Sequence, residues 1–156
     1  MDRRAFLAAT TAAMIASMGR TSRAQGQDPA LSPLAPQDGT FVYGESRLGM
    51  ADPDDEDQKD GLLYVPKSYK DGTPAPLLVW LHGLSGNAAS NRFLYPIADE
   101  FGVNILSPDA RRLTWGRDAP GFDRDSVFIV DAMKFVNRTL YMDRDHVAIG
   151  GVSDGA

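Results

Sequence analysis

His146-Val147-Ala148-Ile149-Gly150-Gly151-Val152-Ser153-Asp154-Gly155 is the stretch that decides the fold. A short apolar run, read as a strand from His146 to Gly150, passes directly into glycine, any residue, serine, any residue, glycine. That pattern is the signature of a tight turn in which a strand gives way to a helix and the serine hydroxyl is lifted above the sheet. Glycine is needed at both flanks, because side chains there would collide in so sharp a bend. Ser153 is therefore the first candidate for chemistry. The pattern alone is a modest signal, and the buried strand before it makes it a stronger one.

Working back towards the N-terminus, short apolar runs alternate with segments of helical period, which argues for a mostly parallel sheet with crossover helices. Leu77-Leu78-Val79-Trp80-Leu81 is an unbroken apolar run of the kind buried on both faces of a central strand. It ends at His82-Gly83-Leu84-Ser85-Gly86, a glycine-rich loop at the end of a strand where ligand-facing loops of parallel sheets emerge. Gly61 to Val65 reads as an earlier strand stopped by Pro66, and Val103 to Ser107 as a later one stopped by Pro108. Between them, Phe93, Leu94, Ile97, Ala98 and Phe101 are spaced as one face of a helix running from Ala88 to Phe101 and closed near Gly102. After Pro108 a long loop carries Trp115 and Phe122, candidate walls of an acyl or aromatic pocket. Asp125 then stands as N-cap of a helix whose apolar stripe is Val127, Val130, Met133 and Val136. Asp109 and Asp118 lie in the same region and are given no role.

Composition narrows the function classes. With 16 basic against 21 acidic residues the chain has no cationic surplus for nucleic acid or anionic lipid. It contains no cysteine, so a disulfide framework, a thiolate metal site and a cysteine nucleophile are all excluded. No cofactor or metal ion is called for. The acidic run Asp52 to Asp60 lacks the glycine and distal glutamate spacing of a calcium loop and reads as a solvated surface turn. Arg3-Arg4 followed by the small-residue apolar run Ala5 to Met18 is too short to cross a bilayer core of roughly 30 Å. It has the order of a twin-arginine export signal occupying residues 1–24, with Ser22-Arg23-Ala24 as the cleavage site. Residues 25–40, with Pro29, Pro33 and Pro36, have linker composition, and the folded part is expected over 41–156. A periplasmic or secreted protein with no stable membrane anchor after cleavage is the expectation.

The order strand, His82-Gly83-Leu84, helix, strand ending at Pro108-Asp109, helix from Asp125, and Gly151-Val152-Ser153-Asp154-Gly155 resembles the α/β-hydrolase superfamily. Within it, the chain is similar to exported esterases of the phospholipase/carboxylesterase and polyhydroxyalkanoate-depolymerase-like branches. The resemblance runs from about Gly61 to the end. It implies an α/β fold whose first strands are antiparallel and later ones parallel, with Ser153 as the nucleophile that forms an acyl-enzyme. The backbone N–H groups of Leu84 and Asp154 would form the oxyanion hole, and the substrate would be a small-molecule or polymeric ester. In that superfamily the acid and the histidine of the triad follow the serine along the chain. Only two histidines are present, His82 and His146. The first belongs to the oxyanion loop, and a strand rise of about 3.3 Å per residue puts the second roughly 20 Å from Ser153. The sequence therefore reads as the N-terminal half of such a domain, inactive by itself because an unassisted serine is a weak nucleophile, and with its last strand open on one side. A serine peptidase or acyltransferase on the same scaffold, or a non-catalytic binding protein, are the alternatives.

Overall fold

A computed structural model describes residues 41–51, 54, 59–116 and 124–156. The export signal, the linker, most of the acidic run, Asp118 and Phe122 lie outside the described residues. Five strands form one sheet: β1 (Gly44–Arg47), β2 (Gly61–Val65), β3 (Ala75–Leu81), β4 (Asn104–Pro108) and β5 (Met142–Gly151), in spatial order β1-β2-β4-β3-β5. β1 pairs with β2 and β2 with β4 antiparallel, whereas β3 runs parallel to both β4 and β5. The antiparallel-then-parallel arrangement is the one expected. β1 was not legible as a strand: its alternation, Gly44-Glu45-Ser46-Arg47, offers no apolar side chain.

The chain leaves β3 towards one side to reach β4, then returns across the sheet to place β5 on the other side of β3. Right-handed crossovers in opposite directions put their helices on opposite faces. On one face α2 (Arg124–Thr139) packs Phe128, Ala132 and Val136 against Leu63, Val65, Leu77, Val79 and Leu106. On the other, a 3₁₀ segment (Ala88–Leu94) and α1 (Tyr95–Phe101) pack Leu94 and Ala98 against Ile105, Leu78 and Trp80. Every residue of β4 is buried, as a strand covered on both faces should be.

Several sequence expectations are corrected. The stretch from Ala88 to Phe101 is two elements: the first half winds as a 3₁₀ helix, and Pro96 opens a new α-helix in its first turn. The change of winding rotates the apolar face, so Leu94 and Ala98 point inward while Phe93, Ile97 and Phe101 are exposed. The end at Gly102 is as expected, with φ 67° in the left-handed region. In α2 the buried stripe is Phe128, Ala132, Val136 and Thr139, with Val127 and Val130 on the outside. The two stripes are neighbours on the helix and both are apolar. The guanidinium of Arg111, 3.8 Å from the centre of the Phe128 ring, marks which one faces inward. Asp60 closes the acidic run but is buried, and its carboxylate accepts the Gly49 and Met50 N–H groups of the β1–β2 connection at 2.9 and 3.0 Å.

The 3₁₀ segment is tied to β1 at the surface. Arg92 donates twice to Glu45 at 2.6 Å and Tyr95 Oη donates at 2.9 Å. The Arg92 guanidinium holds the Glu45 carboxyl below the usual carboxylate range, and burial raises the Tyr95 phenol. Among the described residues β5 pairs with β3 alone, with a bulge where Ala75–Leu77 faces Met142–Val147. Val147 and Ile149 are exposed on it. No helix among the described residues is long and apolar enough to cross a membrane.

Candidate active site

The strand order reverses at β3, and the carboxyl ends of strands beside such a reversal are where open parallel sheets hold their ligands. Register makes the neighbours explicit. Leu81, the last residue of β3, lies opposite Gly151, the last of β5, so the His82 loop and the Ser153 turn rise side by side.

Val152 is extended (φ −123°, ψ 137°) and carries the ladder one step past the strand by donating to Leu81 O at 3.2 Å. Ser153 then adopts φ 55°, the left-handed region that a residue with a side chain rarely takes. A 3₁₀ turn (Ser153–Gly155) follows, closed by Gly155 N–H to Val152 O at 3.0 Å and Ala156 N–H to Ser153 O at 3.2 Å. Both flanking glycines are required by space. A Cβ on Gly151 would lie 2.1 Å from Gly155 O, and one on Gly155 would lie 2.6 Å from Leu81 O and 2.7 Å from His82 O. The turn therefore presses the serine out of the sheet, and Ser153 is exposed.

The neighbouring loop is held by side chains. His82 is buried, and its Nε2 accepts the Ala110 N–H at 3.1 Å, so the ring proton is on Nδ1, which donates to Gly83 O at 2.8 Å. Trp115 Nε1–H donates to His82 O at 2.7 Å, with the two rings 4.9 Å apart. Gly86 N–H returns to Gly83 O at 2.9 Å, and Ser85 N–H reaches Leu113 O at 3.0 Å. Leu84, at the tip, is 62% exposed, and its N–H has no hydrogen-bond partner among the described residues. Gly83 faces the elbow: a Cβ there would be 3.5 Å from Ser153 Cβ.

Ser153 opens into a cavity of about 630 Å³ that Asp154, Leu81, Trp115, Asp125 and Ile129 also line. Ser153, Asp154 and Trp115 are thus brought together, while Leu84 stands on the adjoining loop and does not line the cavity. Asp125 is no N-cap. It sits in the first turn of α2, and its buried carboxylate accepts Arg111 N–H at 2.6 Å and Gly116 N–H at 2.8 Å, which pins the loop that carries Trp115. Asp109 is likewise structural, accepting Ala88 N–H at 2.6 Å and Asp60 N–H at 3.3 Å. Asp125 and Ile129 were missed as site residues. Their signal was the helix position one turn apart, which only the correct stripe assignment would have exposed.

Neither histidine is hydrogen-bonded to Ser153. Both nitrogens of His82 are engaged in holding its loop. His146 lies in the middle of β5, seven residues before Ser153, 71% exposed, with its Nδ1 2.7 Å from Asp143 Oδ2. No group of side chains suited to a metal ion occurs among the described residues.

No family model and no curated protein sequence matches the chain. Solved structures do. A thermostable esterase is similar at 20% identity and TM-score 0.51, covering 62% of this chain and 31% of that one. The poly(3-hydroxybutyrate) depolymerase of Bordetella parapertussis is similar at 20% identity and TM-score 0.54, covering 73% and 44%. The S-formylglutathione hydrolase of Staphylococcus aureus is similar at 18% identity and TM-score 0.52, covering 70% and 46%. The chain thus spans between about a third and a half of the length of these proteins. At such identities the likeness concerns the fold, and with the strand order and the elbow it establishes that this chain has the α/β-hydrolase fold.

Proposed function

We propose that Ser153 is the acyl-accepting nucleophile of a serine ester hydrolase. The observation that carries the reading is the left-handed serine at φ 55° between two glycines that no side chain could replace, opening into a cavity. A strained turn that only sharpens the exposure of one hydroxyl is costly for folding and useful for attack. Ser153 Oγ would add to the ester carbonyl, with the developing oxyanion received by the N–H groups of Leu84 and Asp154. Loss of the alcohol would leave the acyl-serine, and water would release the acid. Trp115 would contribute to the wall against the substrate. Among the described residues no histidine is hydrogen-bonded to Ser153, so the reading takes the general base and its acid as supplied in addition, and expects the chain without them to be inactive.

The substrate class proposed is a carboxylic ester, small or polymeric, in keeping with the esterase and depolymerase among the similar structures. Export by the twin-arginine route and a periplasmic or secreted location are part of the same proposal and rest on Arg3-Arg4 and the apolar run after it. The test is labelling with a fluorophosphonate, followed by peptide mass mapping, in the protein carrying a complete triad. Label on Ser153, absent in Ser153→Ala, is expected. Label on any other residue, or turnover of an activated ester that persists in Ser153→Ala, would refute the assignment.

A further inference from the structure

A second cavity, of about 380 Å³, opens at the same end of the sheet and shares no lining residue with the one at Ser153. Ser85 from the His82 loop forms one wall. Arg47 from the end of β1, Lys59 from just before β2, and Asp109, Arg112 and Leu113 from the segment after β4 form the others. In a chain with more acidic than basic residues, three cations against one carboxylate among the described lining residues is a local reversal of charge.

The charges differ in how far they are already used. Both oxygens of Asp109 accept backbone N–H groups, and Lys59 has an interaction of its own. The Arg47 and Arg112 side chains form no ion pair or hydrogen bond among the described residues, whereas the terminal nitrogens of the adjacent Arg111 donate to three backbone carbonyls and its guanidinium lies over the Phe128 ring. Among the described lining residues Arg47, Lys59 and Arg112 against Asp109 leave a formal surplus of two positive charges, which a small dicarboxylate neutralises. Guanidinium forks fit a planar carboxylate through paired hydrogen bonds. Ser85 adds a hydroxyl with no protein partner among the described residues. It is fixed in a left-handed conformation, φ 58°, by its N–H bond to Leu113 O. Leu113, 70% exposed, offers apolar surface for a short carbon chain, and the volume is at the small end of small-molecule sites.

We propose that this cavity is a subsite for the carboxylate of a small organic acid, held by Arg47 and Arg112 with the Ser85 hydroxyl. The proposal is independent of the role of Ser153.

Isothermal titration of the protein carrying a complete triad with succinate, with its neutral analogue succinamide and with inorganic phosphate tests it. Saturable binding of succinate at low ionic strength is expected, weakened at about 0.15 M salt where screening is stronger. Arg47→Gln with Arg112→Gln should weaken it by about ten- to a hundredfold, the loss expected for hydrogen bonds to charged groups. Lys67→Gln, an exposed cation outside the cavity, should leave it unchanged. Replacing both arginines by lysine should give an intermediate loss, since the charge stays and the fork goes. The double glutamine variant should melt at the parent temperature, because neither guanidinium is bonded among the described residues. A lowered melting temperature would show that the arginines serve the fold, and would overturn the proposal. So would absence of succinate binding, equal binding of succinamide, tighter binding of phosphate, or an equal loss in Lys67→Gln.

Discussion

The loop after β3 and the turn after β5 stand side by side above the same two strands, and they are held in opposite ways. From His82 to Gly86 the backbone is fixed by what side chains add: an imidazole bonded at both nitrogens, and an indole N–H on the His82 carbonyl. From Gly151 to Gly155 it is fixed by what side chains leave out, since the carbonyls of Gly155, Leu81 and His82 occupy the space where Cβ atoms would be. The first region should fail when atoms are removed and the second when they are added.

The largest effect is expected at the elbow. In Gly151→Ala the new methyl would overlap Gly155 O at 2.1 Å and Leu81 O at 2.9 Å, both backbone atoms that cannot swing aside. The cost should reach about 3 kcal/mol, the upper range for overpacking, read as a lower denaturant midpoint with unchanged slope. A shift of less than about 1 kcal/mol would mean that the turn relaxes easily, and the contrast with the His82 loop would collapse. Next comes His82→Leu, which keeps the volume but strands the Ala110 N–H in a buried place, while Gly83 O keeps its bond from Gly86 N–H. An unsatisfied buried group costs about 1–3 kcal/mol, so a loss of about 2 kcal/mol is expected in the same measurement. Trp115→Phe sharpens the comparison further. It deletes one hydrogen bond to His82 O while keeping most of the ring, and should cost about 1 kcal/mol.

Legibility in the sequence follows the same division. The elbow could be read from Gly151, Ser153 and Gly155 because a steric requirement leaves its mark on residue identity. β2, β3 and β4 could be read because strands buried on both faces are written as unbroken apolar runs. The long-range side-chain brackets could not. Nothing local distinguishes Asp125, which accepts two N–H groups of a distant loop, from an N-cap, or the buried Asp60 from its solvated neighbours. The stripes of α1 and α2 failed for a related reason: each segment offers two adjoining apolar faces, and tertiary partners such as Arg111 over Phe128 decide between them.

The smallest effect is the one that most directly tests whether Ser153 is strained. A side-chain-bearing residue in the left-handed region costs about 1–2 kcal/mol, a cost glycine does not bear. Glycine loses more chain entropy on folding than alanine, by about 0.4–1 kcal/mol. At φ 55° the first term should exceed the second, so Ser153→Gly should be more stable than Ser153→Ala by about 0.5 kcal/mol. At Val152, one residue earlier and extended at φ −123°, only the entropic term operates. There the order should reverse, with Val152→Gly less stable than Val152→Ala by about 0.5 kcal/mol or more. Denaturant midpoints for the four variants give both differences under one set of conditions, and neither depends on catalysis. If glycine is the less stable residue at both positions, Ser153 is not strained, and its exposure is set by the glycines alone. If it is the more stable only at Ser153, the hydroxyl is held out of the sheet at the expense of the fold, which a residue kept only for packing has no reason to do.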